Sequence, residues 1–288
     1  MTILPGTIDL HMHTSVSDGT DSPEEILLRV REAGIGLFSV TDHDAIEGCR
    51  RILAVRKAGD PAFITGVEFS CRDAEGQYHI LGYDYDPDAA PINGVVQQGH
   101  AFRMQKIKER IDFLKERFGF VFSQEDIDRL LRLQNPGKPH LGNLMVQYGY
   151  AATKDEAIKA YINRMRSEDA YVRPEDAIRG ILESGGIPVL AHPAYGRGDE
   201  LIMGDALEAR VKRLMGFGLR GVEAFYSGFT EKLRNEMLSI AETYDLYVTA
   251  GSDYHGRNKL VALGDTGMNG ITEIPKGLIQ FLQRIDEL

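Results

Sequence analysis

The sequence predicts an α/β protein that carries a helical insert. Short β-type runs alternate with helical stretches along most of the chain, which is typical of proteins built on parallel strands. One stretch, from about residue 99 to residue 170, is helical in pattern throughout. The 288 residues, 43% of them hydrophobic, suffice for a full core, so we expect one large domain with an insertion.

Seven runs have the composition of strands, and they are Thr7–His11, Gly36–Thr41, Ala62–Ser70, Tyr78–Tyr85, Ile187–Ala191, Gly221–Tyr226 and Leu246–Ala250. The first helix is predicted from Ser22, Pro23 and Glu25. Ser is a frequent N-cap, Pro fits the first helical position, and Glu at the third position closes a capping box. Gly34 marks the expected end of this helix.

The insert lies between the fourth and fifth predicted strands. Apolar residues at Ile107, Ile111 and Leu114 have helical spacing, and Ser123 and Thr153 each precede an acidic residue by three positions, as at helix N-termini. We therefore divide the chain into an α/β domain, residues 1–98 and 171–288, and an all-helical insert of residues 99–170.

Charge and composition exclude several classes of protein. There are 33 basic and 43 acidic residues, a net charge of −10, which would repel a long polyanion unless basic residues gather locally. The start of the chain has no basic segment followed by an apolar stretch, and no later run approaches the roughly 20 apolar residues of a membrane span. We expect a cytoplasmic protein with no membrane partner. Cys49 and Cys71 are too far apart in sequence for a CxxC site.

The histidines follow the strands. Six of the eight lie inside or just after a strand-like run, and only His100 and His140 do not. In a closed barrel of parallel strands the carboxyl ends meet at one mouth, so residues distant in sequence can share one site there. His11 and His13 are two residues apart, which points both side chains to the same side of a strand and lets them bind one cation.

An HxH pair alone is a weak signal, but further candidate ligands lie in the loop after this strand or at the ends of other strands. They are Asp18 in the loop, His79 at the start of the fourth strand, and His43, Glu68, His192, Asp253 and His255 at or just after the carboxyl ends of others. Taken singly, each is as readily explained as a hydrogen-bonded polar residue or a solvated charge. Together they would repel one another at one mouth in the absence of cations. Histidine and carboxylate ligands without cysteine favour Mn²⁺, Fe²⁺ or Zn²⁺ over Ca²⁺.

Five motifs in order resemble the PHP (polymerase and histidinol phosphatase) family. They are Asp-Leu-His-Met-His-Thr at 9–14 with Ser-Asp-Gly at 17–19, Thr-Asp-His-Asp at 41–44, Gly-Val-Glu at 66–68 with His79, Ala-His-Pro at 191–193, and Gly-Ser-Asp-Tyr-His at 251–255. The resemblance runs from about residue 7 to residue 265 and excludes much of the insert. It implies a distorted, TIM-like seven-stranded βα barrel, a trinuclear metal site and phosphoesterase activity.

The same resemblance implies a ligand set for each of three divalent metals. His11, His13, Glu68 and Asp253 would hold the first metal, and Glu68 would bridge to a second metal that His79 and His192 complete. Asp18, His43 and His255 would hold the third. These nine residues are therefore expected to be catalytic through the metals.

The insert is similar to that of the branch that acts on nucleoside phosphates and short RNA ends. Lys138-Pro139-His140 looks like that branch's phosphate-facing motif, with Lys138 where relatives often have Arg. Arg197, in a loop after His192, is a further candidate for the phosphate, although a solvent-facing loop arginine explains it equally well. A small nucleotide or short oligonucleotide is the expected partner.

In the expected mechanism a hydroxide that bridges two metals attacks phosphorus while the cations neutralise the developing charge. Glu223 is expected to line the mouth, and Asp9, Asp42 and Asp44 are candidates to orient ligand imidazoles. Four basic residues of the insert are instead expected on the solvated face of its first helix, namely Arg103, Lys106, Lys108 and Arg110.

Three alternatives stay open. A histidinol-phosphate phosphatase would use the same metals with a different pocket. An amidohydrolase that cleaves C–N bonds shares HxH at strand one, but such sites commonly add a strand-end lysine, which strand four lacks. The third alternative is a metal-binding accessory domain without turnover.

Overall fold

The computed structural model describes residues 8–165, 170–196 and 200–286. In these ranges the strands are β1 Ile8–Asp9, β2 Leu37–Phe38, β3 Ala62–Phe63, β4 Gly66–Arg72, β5 Gln77–Tyr83, β6 Ile187–Leu190, β7 Gly221–Tyr226 and β8 Tyr247–Gly251. The helices are α1 Pro23–Glu32, α2 Glu47–Val55, α3 Ala90–Phe118, α4 Gln124–Leu131, α5 Lys138–Gln147, α6 Lys154–Glu156, α7 Pro174–Glu183, α8 Asp205–Met215, α9 Glu231–Thr243 and α10 Lys276–Asp286.

The strands form two sheets, of order β1-β2-β3 and β4-β5-β6-β7-β8. The first sheet is parallel, and so is the β6-β7-β8 part of the second. Strand β5 is antiparallel to both of its neighbours, which corrects the expectation of parallel strands throughout. It is antiparallel because it returns from β4 through a short turn at residues 73–76 rather than through a crossover helix.

The predicted single strand Ala62–Ser70 is two strands that belong to different sheets. The break falls just before Gly66, where the chain runs against its neighbour: a Cβ at this glycine would lie 2.7 Å from the carbonyl oxygen of Val40. Only glycine permits so close an approach of two backbones.

The two sheets are joined at two places. On one side the amide of Leu10 donates to the carbonyl of Ala250 at 2.9 Å, which links β1 to β8. On the other side His43 pairs with Glu68 in an isolated parallel bridge, beyond the end of β2. The carboxyl ends of β1, β2 and β8 therefore face the same region as the middle of β4.

Local sequence signals set the helix starts. The Ser22 hydroxyl accepts from the Glu25 amide at 3.2 Å, and the Glu25 carboxylate accepts from the Ser22 amide at 2.7 Å, so the predicted capping box of α1 is confirmed. Ser123 and Thr153 cap α4 and α6 as predicted. The described residues between β5 and β6 contain helices and no strand.

The apolar core has three parts. One lies between the second sheet and its helices, and a smaller one lies beneath α1 and α2. A third, separate cluster lies among the helices α3 to α6, with Ile107, Leu114 and Leu141 fully buried. None of the described helices is long and apolar enough to span a membrane.

Candidate metal centre

All nine predicted ligands lie in one cluster, with the buried carboxylate of Glu68 in β4 at its centre. His11 and His13 follow β1, Asp18 is in the next loop, His43 follows β2, His79 is in β5, His192 follows β6, and Asp253 and His255 follow β8. Within the β4-β5 hairpin, His79 pairs with Ser70, so Glu68 is its diagonal neighbour on the same face. Sheet geometry thus brings these side chains together.

One oxygen of Glu68, Oε2, faces three imidazoles. It lies 3.4 Å from His11 Nε2, 3.1 Å from His13 Nε2 and 3.0 Å from His43 Nδ1. The other oxygen, Oε1, lies 2.8 Å from His79 Nδ1 and 3.3 Å from His192 Nε2. A single carboxylate is therefore surrounded by five histidines.

Two further carboxylates complete the cluster. Asp253 Oδ1 lies 3.5 Å from His11 Nε2, 3.3 Å from His13 Nε2 and 3.4 Å from His255 Nδ1. Asp18 Oδ1 lies 3.3 Å from His255 Nε2 and 3.8 Å from His13 Nδ1. The other oxygen of Asp18, Oδ2, lies 4.0 Å from His43 Nε2.

These separations fit divalent cations. Ligands bonded to one cation at about 2.1 Å stand about 3.0 Å apart at right angles and about 3.4 Å apart in a tetrahedron. Among the described residues, buried ring nitrogens of the cluster lack a hydrogen-bond partner, including His11 Nε2, His13 Nε2, His43 Nδ1 and His79 Nδ1. Buried polar atoms are rarely left unpaired, and bound cations would pair these.

Among the described residues, three groups of side chains are close enough to share an ion. The first is His13, Asp18, His43 and His255, the second is His11, His13 and Asp253, and the third is His43, Glu68 and His79. They match the three sets implied by the sequence in part. In the structure His43 lies against Glu68 as well as Asp18, and His13 also approaches Asp18.

Without cations His13 and Glu68 hold each other in charged forms, whereas burial lowers the pKa of His43 to about 4. Burial lowers the pKa of His13, but the nearby carboxylates of Asp253 and Glu68 outweigh burial and raise it to about 9. Burial would raise the pKa of Glu68, yet His79 and other histidines hold it well below its usual range. Protons and metal ions therefore compete for the same nitrogens.

A family model described as PHP domain matches residues 9–172, more than half of the chain. The chain belongs to the PHP domain family. The match includes six of the nine clustered side chains, from His11 to His79.

Curated relatives of this PHP protein cleave phosphate esters. It is 29% identical to a 5'-3' exoribonuclease of Haemophilus influenzae, over 86% of this chain and 89% of that protein. It is also 29% identical to a phosphoribosyl 1,2-cyclic phosphate 1,2-diphosphodiesterase of Eggerthella lenta, over 86% of this chain and 94% of that protein. A 3',5'-nucleoside bisphosphate phosphatase of Chromobacterium violaceum is 25% identical over 86% of this chain and 87% of that protein.

Solved structures agree with the family. A protein from Bifidobacterium adolescentis, proposed to be a metal-dependent phosphoesterase, superposes with a TM-score of 0.78 at 25% identity, over 90% of this chain and 91% of that one. The fold is also that of a Chromobacterium violaceum protein described as an amidohydrolase, with a TM-score of 0.80 at 22% identity over 98% and 96% of the two chains. The protein is thus a PHP hydrolase of phosphoric ester bonds.

Glu223, in β7, orients two of the clustered histidines of this PHP site. Its Oε1 accepts from His11 Nδ1 at 2.9 Å, and its Oε2 accepts from the backbone amide of His192 at 2.8 Å. Glu223 was expected to line the mouth, but its contact with His11 joins residues 212 positions apart and was not predicted. Carboxylates that bond the second nitrogen of a ligating imidazole fix its tautomer and orientation.

The three aspartates considered for that role bond to other groups. Asp9 Oδ1 accepts from the Ser252 amide at 2.9 Å, and burial raises the pKa of Asp9 to about 6. Asp42 accepts from the amide of Thr14 at 2.8 Å and from the hydroxyl of Ser17 at 2.7 Å. Asp9 and Asp42 thus stabilise the loops that carry the histidines and do not contact the imidazole rings directly. Asp44 pairs with Arg103 of α3.

Asp253 is held in place from the side opposite the histidines. Its Oδ2 accepts from the Tyr226 hydroxyl at 2.9 Å and from the ammonium of Lys259. Asp253 has a φ of +56° and His192 a φ of +28°, so both adopt left-handed backbone that L-residues rarely adopt. Such strain is common at functional sites because the surrounding structure enforces it.

A cavity of about 280 Å³ opens beside the cluster. Asp18, His43 and His79 line one side of it, and Arg103, Lys106, Arg110 and Lys138 of the helical segment line the other. The expectation that the α3 residues form a solvated face is wrong for Arg103, Lys106 and Arg110, which are buried, whereas Lys108 is exposed as expected. The three buried residues lie beside the apolar stripe of α3, because residues three and four apart share a helix face.

Of the three residues predicted to bind the substrate phosphate, the structure places one, Lys138, in the cavity beside the metal centre. Lys138 lines the cavity, where its Nζ donates to Asn163 Oδ1 at 2.6 Å. The Nδ1 of His140 accepts from the Gly137 amide at 3.0 Å, which makes it a cap of α5, and its side chain borders a different cavity. Arg197 lies outside the described residues.

Proposed function

We propose that the protein is a divalent-metal-dependent phosphoesterase that acts on phosphate esters of nucleotides or short oligonucleotides. The observation that carries the proposal is the position of Glu68, whose carboxylate lies 2.8–3.4 Å from five imidazoles at the edge of a cavity with basic side chains. Histidines in this number around one carboxylate suit cations that polarise a phosphoryl group.

In this proposal three divalent cations, Mn²⁺, Fe²⁺ or Zn²⁺, share the nine side chains. His11, His13, Glu68 and Asp253 hold the first, Glu68 with His79 and His192 hold the second, and Asp18, His43 and His255 hold the third. The separations between these side chains and the unpaired ring nitrogens support the assignment. Bound there, the cations would lower the pKa of water and offset phosphoryl charge.

The remaining groups of the site position the substrate and the ligands. Glu223 keeps the His11 ring in the tautomer whose Nε2 is free to bind a cation. Tyr226 and Lys259 hold one oxygen of Asp253, which leaves the other directed at the histidines. The basic cavity wall attracts the phosphate ester, although the chain as a whole has a net charge of −10.

Two kinds of observation support a nucleotide substrate. Relatives that cover most of the chain are named for RNA, for a cyclic phosphoribosyl diester and for a nucleoside bisphosphate. The cavity is also closed on one side by α3 and α5, which leaves room for a small ligand rather than for a long duplex. The net charge of −10 would further repel a long nucleic acid.

We also propose that the two joined sheets constitute a distorted barrel, seven-stranded when β3 and β4 are counted as one interrupted strand, with residues 99–170 as an insert subdomain. The links of β1 to β8 and of β2 to β4 support closure of the sheets. The separate apolar cluster among α3 to α6 supports an insert with its own core. Helix α3 itself begins at Ala90, before the proposed boundary.

The test is phosphate release by Mn²⁺-loaded protein from nucleoside monophosphates, a 3',5'-bisphosphate, a cyclic nucleotide and histidinol phosphate. We expect release from nucleotides by the wild type and its loss in His192→Ala. His100→Ala is the matched control, because His100 is exposed and outside the cluster. Preferential release from histidinol phosphate would favour the histidinol-phosphatase alternative, and no release with Mn²⁺, Fe²⁺ or Zn²⁺ would favour a non-catalytic role.

A further inference from the structure

Helix α3 turns three basic side chains into the cavity beside the metal centre. Arg103, Lys106 and Arg110 are only 8%, 5% and 8% exposed. They follow one another at spacings of three and four residues, so they form a single ridge on one face of the helix. The cavity wall therefore contains a concentrated positive charge in a protein whose net charge is −10.

The protein supplies little negative charge to this ridge. Arg103 Nε pairs with Asp44 Oδ2 at 2.6 Å, and Arg103 Nη2 donates to the Ser70 hydroxyl at 3.0 Å. Within the described part of the chain, neither Lys106 nor Arg110 has a carboxylate within 4.0 Å. Asp18 also lines the cavity, but it belongs to the metal cluster through His255.

Lys106 is held in place by an aromatic ring and not by a carboxylate. Its Nζ lies 3.7 Å above the centre of the Tyr171 ring, which fixes the ammonium by a cation–π contact. Burial, reinforced by the positive charge of Arg103, lowers the pKa of Lys106 to about 7, and burial lowers the pKa of Arg110 to about 10. A buried cation without a counter-charge costs stability, and a bound anion would offset that cost and favour the charged form of Lys106.

We propose that Lys106 and Arg110, with Arg103 behind them, form a second anion subsite that holds a phosphate group of the substrate other than the one cleaved at the metal centre. The subsite and the metal ligands His43 and His79 line one cavity, so one small molecule can reach both. The substrate class is therefore a nucleotide that carries two phosphate groups. This inference rests on the proposed function and narrows it.

The chemistry of the ridge suits a phosphate better than a neutral group. Arg110 offers a planar fork of donors that can contact two phosphate oxygens, and Lys106 offers a point charge. A sugar hydroxyl or a base would leave both charges buried and uncompensated. The subsite therefore discriminates between nucleotides by the number of their phosphates and not by their base.

The test compares substrates on the same enzyme preparation. The ratio of kcat/KM for adenosine 3',5'-bisphosphate to that for each of the two adenosine monophosphates is measured with Mn²⁺-loaded wild type, Lys106→Met and Arg110→Met. We expect the bisphosphate to be preferred by wild type, and the ratio to fall about tenfold in each variant through a higher KM, as for loss of one charge-assisted hydrogen bond. Partial misfolding cancels in this ratio.

Three further variants complete the experiment. Lys108→Met is the matched control, because Lys108 is on the same helix but exposed, and it should leave the ratio unchanged. Lys106→Arg keeps the charge and should retain most of the preference. If Lys106→Met does not fold, Lys106→Gln replaces it.

An unchanged ratio in Lys106→Met and Arg110→Met overturns the subsite while leaving the phosphoesterase function intact, and so does a wild type that prefers a monophosphate. Absence of phosphate release from every nucleotide by wild type would instead overturn the proposed function, and the subsite with it.

Discussion

Glu223 connects two strands of the metal centre, and its replacement by glutamine tests how the site is assembled. The carboxylate accepts from His11 Nδ1 at 2.9 Å and from the His192 amide at 2.8 Å, and it is fully buried. A glutamine of the same shape has one oxygen and one NH₂ group. Whichever way the amide turns, one of the two donors therefore faces another donor.

The size of the effect follows from these contacts. Loss of one hydrogen bond to a charged group costs about 1.5–3 kcal/mol, and each 1.4 kcal/mol is about tenfold in an equilibrium constant. We therefore expect Glu223→Gln to weaken metal binding by about 10- to 100-fold, as is usual when a partner of a ligating histidine is removed. Phosphate release at limiting metal should fall in parallel and recover partly when the metal concentration is raised.

The assay is competition for Mn²⁺ against a chelator of known affinity, followed by phosphate release at increasing metal concentration. Glu242→Gln is the matched control, because Glu242 is exposed on the helix that follows the same strand. Wild-type metal affinity in Glu223→Gln, with at most a lower melting temperature, would refute the assigned role and leave Glu223 as a structural residue.

Other predictions concern protons, the buried ion pair and the insert. Metal binding at pH 7 should release protons, because His13 has a pKa of about 9 without a cation and is protonated at pH 7. Calorimetry in buffers of different ionisation enthalpy measures this release, and its absence would contradict metal binding by His13. Asp44→Asn should lower the free energy of unfolding by about 3–5 kcal/mol, because it removes the carboxylate paired with buried Arg103 while asparagine tolerates the φ of +48°. Urea denaturation measures this loss, and a value below about 1 kcal/mol would contradict a stabilising ion pair. Leu141→Ala in the insert core should cost about 2–5 kcal/mol by the same method, with the half-exposed Leu133→Ala as the control that should cost much less.

Local signals in the sequence were sufficient for several elements. The start of α1 could be predicted because the capping box involves only Ser22 and Glu25, three residues apart. The metal cluster could be located because strand ends converge, which follows from the fold class rather than from particular contacts. In the structure the other eight predicted side chains do cluster with Glu68.

Other features depend on contacts between distant residues and were missed. The direction of β5 is set by its pairing with β4 and β6, and a run of strand-forming residues carries no sign of direction. Glu223 reaches His11 across the barrel-like mouth, which no local pattern reveals.

The burial of the basic ridge has a signal in the sequence of α3. Positions 103, 107, 110 and 114 of α3 recur at helical spacing, so Arg103 and Arg110 share a face with the apolar Ile107 and Leu114. Basic residues in such a helix are usually taken to be solvated. Their position on the apolar face indicated burial.

The most direct test of the account is the metal content and phosphate release of Glu68→Gln measured together. Glu68 lies within 3.4 Å of five histidines, so we predict that wild type binds more than one divalent cation per chain and releases phosphate, whereas Glu68→Gln loses both bound metal and activity. Glu75→Gln, at the exposed turn of the same hairpin, should behave as wild type. Wild-type metal content and activity in Glu68→Gln would contradict a metal centre organised around this carboxylate.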